Sequence, residues 1–91
     1  MNTFEKAINT VISALVDNRI PFTVHSIYDG LQLRFPWCEG DVACHSGTYG
    51  SSIGFVESYE FPWDEGDVTM LDPEMMALQI VNYWEEVASY D

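Results

Sequence analysis

An eight-residue sequence occurs twice in this chain and constrains its fold more than any other feature. FPWCEGDV occupies residues 35–42 and FPWDEGDV occupies residues 61–68, so the two copies agree at seven of eight positions. Each copy follows an apolar-rich run. Its proline removes a donor from a strand ladder, its tryptophan supplies a large apolar anchor, and Glu-Gly-Asp favours a turn in which glycine is free to adopt positive φ. The repeat therefore predicts two equivalent turns, each of which ends a strand.

A hairpin is predicted immediately before the first copy. Asp29 and Gly30 lie between two apolar-rich runs, and Asp-Gly favours a two-residue type I′ turn. This turn pairs Tyr28 with Leu31 and thereby sets the register of the hairpin. One face is expected to be buried and, apart from Ser26, apolar; its members are Phe22, Val24, Tyr28, Leu31, Leu33, Phe35 and Trp37. The other face carries Thr23, His25, Ile27, Gln32 and Arg34.

The segment between the two copies predicts one loop and one strand. Residues 38–50 are rich in small side chains and predict a loop, whereas residues 52–61 show the alternation typical of a third strand. The alternation is imperfect, because Glu57 falls in line with the apolar side chains of Ile53, Phe55, Tyr59 and Phe61. Either a β-bulge or a deliberately exposed carboxylate explains this position.

Two amphipathic helices flank the strands. Residues 3–18 carry apolar side chains every three or four positions, Asn2 and Glu5 have capping-box spacing, and Pro21 ends the helix. A second helix is predicted with Asp72 as N-cap and Pro73 in the first helical position. The order α-β-β-β-α predicts a single acidic α+β domain over residues 1–91. In this fold two helices pack on one face of a three-stranded, mainly antiparallel sheet.

Arg34 is the last basic residue, and the net charge of the chain follows it. The total is −12 at pH 7, and residues 1–34 are formally neutral. Because the chain is 47% apolar and 14% aromatic, we expect these carboxylates on folded structure and not on a disordered tail. Charges of one sign repel each other, so the distribution serves either solubility or a positively charged partner. Direct nucleic-acid binding is excluded, because phosphate neutralisation needs Lys and Arg.

We predict that the two turns present acidic and aromatic side chains to a basic protein partner. Rigid placement reduces the entropy lost on binding. If the second and third strands are parallel, the acids form one patch; if they are antiparallel neighbours, the turns lie at opposite ends of the sheet. The alternative is that both turns are only structural, with their acids in solvent. The predicted partner-binding residues are Glu39, Asp41, Glu57, Glu60, Asp64, Glu65, Asp67, Trp37 and Trp63.

The sequence favours no catalytic, metal or cofactor site. Cys38, Cys44 and His45 lack the second ligand pair of a structural zinc site, and adjacent Cys44 and His45 rarely present both side chains to one substrate. Neither a calcium loop nor a phosphate-binding glycine loop is present. We therefore expect a protein that is not an enzyme. A bridge between Cys38 and Cys44 requires the loop to fold back.

The sequence also predicts a cytoplasmic protein. It contains no run of about 18 apolar residues, which excludes a membrane-spanning helix. Its first residues lack the basic stretch and long apolar stretch of a signal peptide. In a reducing cytoplasm the two cysteines are expected to be free thiols.

In its small size, its acidity and its α-β-β-β-α order, the chain resembles small phage-encoded DNA mimics, including some anti-CRISPR proteins. The resemblance covers no motif, so no functional residue is transferred. It implies an inhibitor that occupies the basic, nucleic-acid-binding surface of a host defence nuclease, or of another DNA-binding enzyme, in the bacterial cell. Two other functions agree with the sequence. One is an immunity protein, antitoxin or adaptor that binds one cognate basic partner; the other is a protein whose acidity serves solubility alone, as a homodimer through the open sheet edge or the helix face.

Overall fold

The computed structural model describes residues 2–88, which form two helices and one sheet. The chain order is α1 (Thr3–Asp17), β1 (Thr23–Ile27), β2 (Gly30–Arg34), β3 (Asp41–Cys44), β4 (Val56–Tyr59), β5 (Val68–Leu71) and α2 (Pro73–Ala88). Single turns of 3₁₀ helix occur at Ser51–Ile53 and Pro62–Asp64. No helix within residues 2–88 is long and apolar enough to cross a membrane.

The sheet has five strands, so the predicted three-stranded sheet is wrong, although the α+β class is correct. Every strand pairs antiparallel with the next in the order β1-β2-β3-β4-β5. The two missed strands are β3, which lies inside the predicted loop at 38–50, and β5, which follows the second copy. Both have only four residues. Pairing on both sides stabilises β3, which carries alanine and cysteine and so gives a weak strand signal in the sequence.

The register predicted for the first hairpin is also wrong. Ile27 pairs with Gly30, so the two turn residues are Tyr28 and Asp29, and Tyr28 has a φ of 51°. Gly30 is needed in the strand, because a Cβ there would lie 1.8 Å from the carbonyl oxygen of Cys44. The close approach of β3 therefore selects this register over the one that the Asp-Gly turn favours.

The predicted buried face of the hairpin is buried only on β2. The partner of each residue changes by two positions, for example from Phe35 to Leu33 for Val24, so the same side chains still share a face. Leu33 is 0% exposed on β2, but Val24 is 46% exposed and Tyr28 is 87% exposed. Because β1 is an edge strand, its side chains receive less cover than those of the central strands.

The two helices cover one face of the sheet and form the core with it. Asn2 caps α1 as predicted: its side chain accepts from the Glu5 amide at 2.9 Å, and its own amide donates to Glu5 Oε1 at 3.1 Å. Asp72 accepts the Glu74 amide at 2.9 Å and so stabilises the start of α2. The largest fully buried side chains are Ile8, Leu15, Leu33, Met76, Ile80, Val11, Val42, Val56, Cys44 and Ser58.

The strand predicted at residues 52–61 is shorter, and its limits explain the irregular position of Glu57. Ile53 belongs to a 3₁₀ turn that ends at Gly54 (φ 81°). Val56 and Ser58 are buried beneath the helices, whereas Glu57 shares the open face of the sheet with Tyr59. At Glu60 the backbone takes a φ of 66°, and Phe61 then lies in the core with 3% of its surface exposed. Glu57 is therefore a regular member of the open face.

Candidate protein-binding surface

Both copies of the repeat lie at the same end of the sheet. β2 and β4 run in the same direction on either side of β3, so the segments that follow them leave from one end. One row of paired residues crosses the sheet and contains Arg34, Asp41, Tyr59 and Val68. Arg34 directly precedes the first copy and Asp41 lies within it, whereas Tyr59 lies just before the second copy and Val68 is its last residue. Both alternatives predicted from the sequence took these two strands as direct neighbours. The inserted β3 brings the acids together without a parallel pair.

The two copies close hairpins with the same pairing register, but the equivalent pairs of side chains lie on opposite faces of the sheet. Leu33 pairs with Val42, and the equivalent pair 26 residues later is Tyr59 with Val68. The first pair is fully buried beneath the helices, whereas Tyr59 is 42% exposed on the open face. The left-handed residue Glu60 causes the change, because it turns the chain over between Tyr59 and Phe61. The prediction of equivalent turns is correct for register and wrong for local geometry.

The aromatic residues of both copies converge on one tyrosine of α2. The Tyr83 ring centroid lies 5.6 Å from that of Trp37, 6.0 Å from Phe61 and 5.9 Å from Trp63. Each indole also has a fixed hydrogen-bond acceptor. Trp37 Nε1 donates to the Pro21 carbonyl at 2.9 Å, and Trp63 Nε1 donates to Ser58 Oγ at 3.0 Å. Both tryptophans are partly buried and hold their turns against α2, as the sequence predicts for an anchor.

The one position at which the copies differ has a structural role in the second copy. Asp64 is 4% exposed and accepts hydrogen bonds from Ser58 Oγ at 2.8 Å and from the Phe61 amide at 3.0 Å. Its carboxylate is therefore buried and not available to a partner, contrary to our expectation. Cys38 takes this place in the first copy, where it is partly buried and burial raises the pKa of its thiol.

The repeated glycine also meets two different requirements. A Cβ on Gly40 would lie 2.6 Å from the ring of Phe61, so this glycine allows the first copy to pack on the second. Gly66 has open space around it but a φ of 83°, which side-chain-bearing residues rarely adopt. Of the two repeated glycines, only Gly66 has the positive φ that the sequence predicts for this position.

We use the term acidic end for the carboxylates that remain at this end of the sheet and along its open face: Glu39, Asp41, Glu57, Glu60, Glu65 and Asp67. Asp41 and Glu57 are partly buried and the other four are exposed. Tyr59 lies among them. A hydrogen bond with Glu60 raises the pKa of Tyr59, and the charges of Glu60, Asp41 and Asp67 add to the effect. Sequence reasoning missed Tyr59 as a site residue, although its place between Glu57 and Glu60 was a usable signal.

Asp41 is a partly buried carboxylate of the acidic end. Burial raises its pKa, and the negative charges of Glu57 and Asp64 act in the same direction. A hydrogen bond from Gln32 Nε2 at 3.3 Å and the charge of Arg34 oppose this shift. Arg34 is itself held by Gln32, since its Nε donates to Gln32 Oε1 at 3.0 Å. The last basic residue of the chain thus lies at the border of the acidic end.

The two cysteines do not form a bridge. Both are free thiols, and Cys44 is buried with its Sγ donating to the Phe55 carbonyl at 3.4 Å. Within residues 2–88 no group of three His, Cys, Asp or Glu side chains has a geometry that would hold a metal ion.

No family model, curated protein or solved structure matches this chain.

Proposed function

We propose that this protein is a non-enzymatic inhibitor that binds the basic, nucleic-acid-binding surface of another protein. The target that fits best is a host defence nuclease in the cytoplasm of a bacterial cell, where the inhibitor takes the place of DNA. The observation that carries the proposal is the position of both repeat turns at one end of the sheet, in a chain whose net charge of −12 follows Arg34. The acidic turns thus share one localised surface, which overall acidity alone would not require.

The rigidity of the turns supports recognition over simple solubility. Each turn joins two paired strands and is held by a tryptophan whose indole N–H is already bonded. Solubility would be served as well by carboxylates on mobile segments. Carboxylates at fixed positions lose less entropy when they bind, so they suit a partner with fixed Lys and Arg side chains.

The separation of carboxylates across the acidic end also suits a partner protein that binds DNA. Asp41 begins β3 and Asp67 precedes β5, two strand spacings apart, which is about 10 Å. The major groove of B-DNA, which separates two phosphate rows, is about 12 Å wide. A cleft whose cations are arranged around DNA would therefore meet carboxylates at a similar separation.

Tyr59 supplies the apolar contact that the carboxylates lack. Rim charges mainly accelerate association, whereas buried aromatic side chains contribute most of the affinity of protein interfaces. Tyr59 is 42% exposed in the middle of the acidic end, so it is available for such a contact. We therefore expect the partner to bury this ring.

A capture experiment at two salt concentrations tests the proposal. Tagged protein is incubated with bacterial lysate at about 50 mM and about 300 mM salt, and bound proteins are identified by mass spectrometry. We expect a basic DNA-binding protein that is retained at low salt and weakened at high salt. A single partner that does not bind nucleic acid would favour an immunity, antitoxin or adaptor function instead, and recovery of the bait alone would contradict both.

Charge reversals identify the surface used. Glu39→Lys with Glu65→Lys removes two exposed carboxylates of the acidic end and is expected to abolish capture at low salt. Asp17→Lys with Glu74→Lys changes the net charge equally on the two helices. This control pair is expected to keep most of the binding. Equal loss in both double variants would mean that net charge, and not the acidic end, determines binding.

A further inference from the structure

One face of α2 and the second copy of the repeat form a groove beside the acidic end. Gln79 lies three and four residues before Asn82 and Tyr83, and Glu86 lies four and three residues after them, so the four share one helix face. Together with Pro62 and Trp63 they line an open groove of about 400 Å³. We call it the Trp63 groove. Its lining combines two aromatic rings, two side-chain amides and one carboxylate.

The aromatic wall of the Trp63 groove is held rigidly. Phe61 stacks on the Trp63 ring with centroids 4.4 Å apart and an interplanar angle of 6°. Tyr83 stands almost perpendicular to the indole, at 88°, and the indole N–H is bonded to Ser58. Because these contacts fix the orientation of Trp63, a ligand does not have to order the ring when it binds.

The chemistry of the lining selects a cation with a flat, apolar surface. Anions are disfavoured by the Glu86 carboxylate and by the net charge of −12. A guanidinium group fits all three components, because it stacks on aromatic rings and its N–H groups reach carboxylate and amide oxygens together. A lysine ammonium is compact, more strongly hydrated and unable to stack in this way.

We propose that the Trp63 groove takes one arginine side chain of the basic protein partner, an inference that rests on the proposed function for the source of the arginine. The groove shares Trp63 with the turn that carries Glu65 and Asp67, so it is continuous with the acidic end. The arginine would add a specific contact to a surface that otherwise attracts any cation. Buried arginines paired with aromatic residues are among the side chains that dominate interface energies.

An NMR titration of the free protein tests the groove without the partner. The probes are N-acetyl-arginine methylamide and N-acetyl-lysine methylamide, added to millimolar concentrations at constant salt. We expect saturable shifts of the Trp63 indole N–H signal and of the amides of Gln79, Asn82 and Glu86 with the arginine probe. The lysine probe should bind about three-fold more weakly or worse, because it lacks the stacking contribution.

Two single substitutions separate the groove from general charge attraction. Glu86→Gln removes the carboxylate of the groove and should weaken arginine binding about five-fold or more. Glu85→Gln removes the same charge from the neighbouring exposed residue, which does not line the groove, and should leave the affinity unchanged.

Three results would overturn the inference: no saturable shift, equal affinity for both probes, or equal weakening by the two substitutions. Each would leave the proposed function standing, because the titration contains no partner protein. Conversely, arginine binding in the groove would survive a failure to capture a DNA-binding partner.

Discussion

Phe35 and Phe61, the first residues of the two copies, meet edge to face with ring centroids 5.7 Å apart. The contact joins segments 26 residues apart and exists because β3 places β2 and β4 in the same direction. Gly40 of the first copy packs on the same Phe61 ring. The two turns therefore form one packed unit, and the carboxylates that follow each tryptophan are positioned by both.

Replacing the two repeated glycines tests this packing. Gly40→Asn places a side chain against the Phe61 ring and is expected to destabilise the protein by about 1–3 kcal/mol. Gly66→Asn should cost clearly less, since asparagine tolerates a left-handed backbone and the space around Gly66 is open. Urea unfolding followed by tryptophan fluorescence gives both free energies of unfolding. Equal losses would show that Gly40 and Phe61 are not in close contact.

The position at which the copies differ should be sensitive in one copy only. Asp64→Cys copies the residue of the first turn into the second, and it leaves the Ser58 hydroxyl and the Phe61 amide without their acceptor. We expect a loss of about 2–4 kcal/mol in the free energy of unfolding, the cost of buried donors without partners. Cys38→Ser at the equivalent place should change it by less than about 1 kcal/mol. If the order of the two effects were reversed, the network around Asp64 would not be structural.

Asp41 makes the protein less stable as its carboxylate ionises. Its pKa is raised by burial, so the folded state holds the proton more tightly than the unfolded state. The stabilisation is complete below the unfolded pKa and is lost as pH rises through the folded pKa. Asp41→Asn should therefore raise the free energy of unfolding near pH 7. The asparagine side chain still offers an oxygen that can accept the hydrogen bond from Gln32 Nε2. The gain should shrink as the pH falls through the raised folded pKa and should be lost below about 4, the ordinary pKa of an Asp carboxyl in the unfolded chain. A gain independent of pH would contradict this account.

Tyr59 should contribute to binding more than to stability. Tyr59→Ala is expected to weaken capture of the partner about ten-fold or more, the effect of losing an aromatic hot spot. Its effect on the free energy of unfolding should stay near 1 kcal/mol, because the ring is partly exposed. Tyr28→Ala is the control, since Tyr28 is 87% exposed in the turn between β1 and β2, at the opposite end of the sheet. Equal affinities of the two variants would exclude Tyr59 from the interface.

The elements with strong local signals could be predicted from the sequence. The capping box of Asn2 and Glu5 and the N-cap at Asp72 set the helix starts, and both copies of the repeat end strands as expected. The strand β3 could not be predicted, because Asp41–Cys44 owes its conformation to partners on both sides and not to its own side chains. Missing β3 also hid the shared end of the sheet, since it is β3 that aligns β2 with β4.

The site was predictable in composition but not in detail. Four exposed carboxylates of the acidic end were identified from the repeat and its flanks, because turns are normally at the surface. The buried role of Asp64 depends on the Ser58 hydroxyl six residues earlier in the chain, and no local pattern predicts that bond. Likewise, the positive φ of Glu60, which leaves Tyr59 on the open face of the sheet, is a backbone property of one residue that no sequence pattern predicts.

DNA mimicry is tested by competition between duplex DNA and this protein for the captured partner. The complex is immobilised through the tagged protein, and double-stranded DNA is added at constant salt, with the same concentration of an acidic polypeptide as the control. We expect DNA to release the partner in a concentration-dependent manner and the acidic polypeptide to release much less, because DNA and the acidic end bind one surface of the partner. If the partner stayed bound at DNA concentrations that saturate its own DNA-binding site, DNA mimicry by the acidic end would be contradicted.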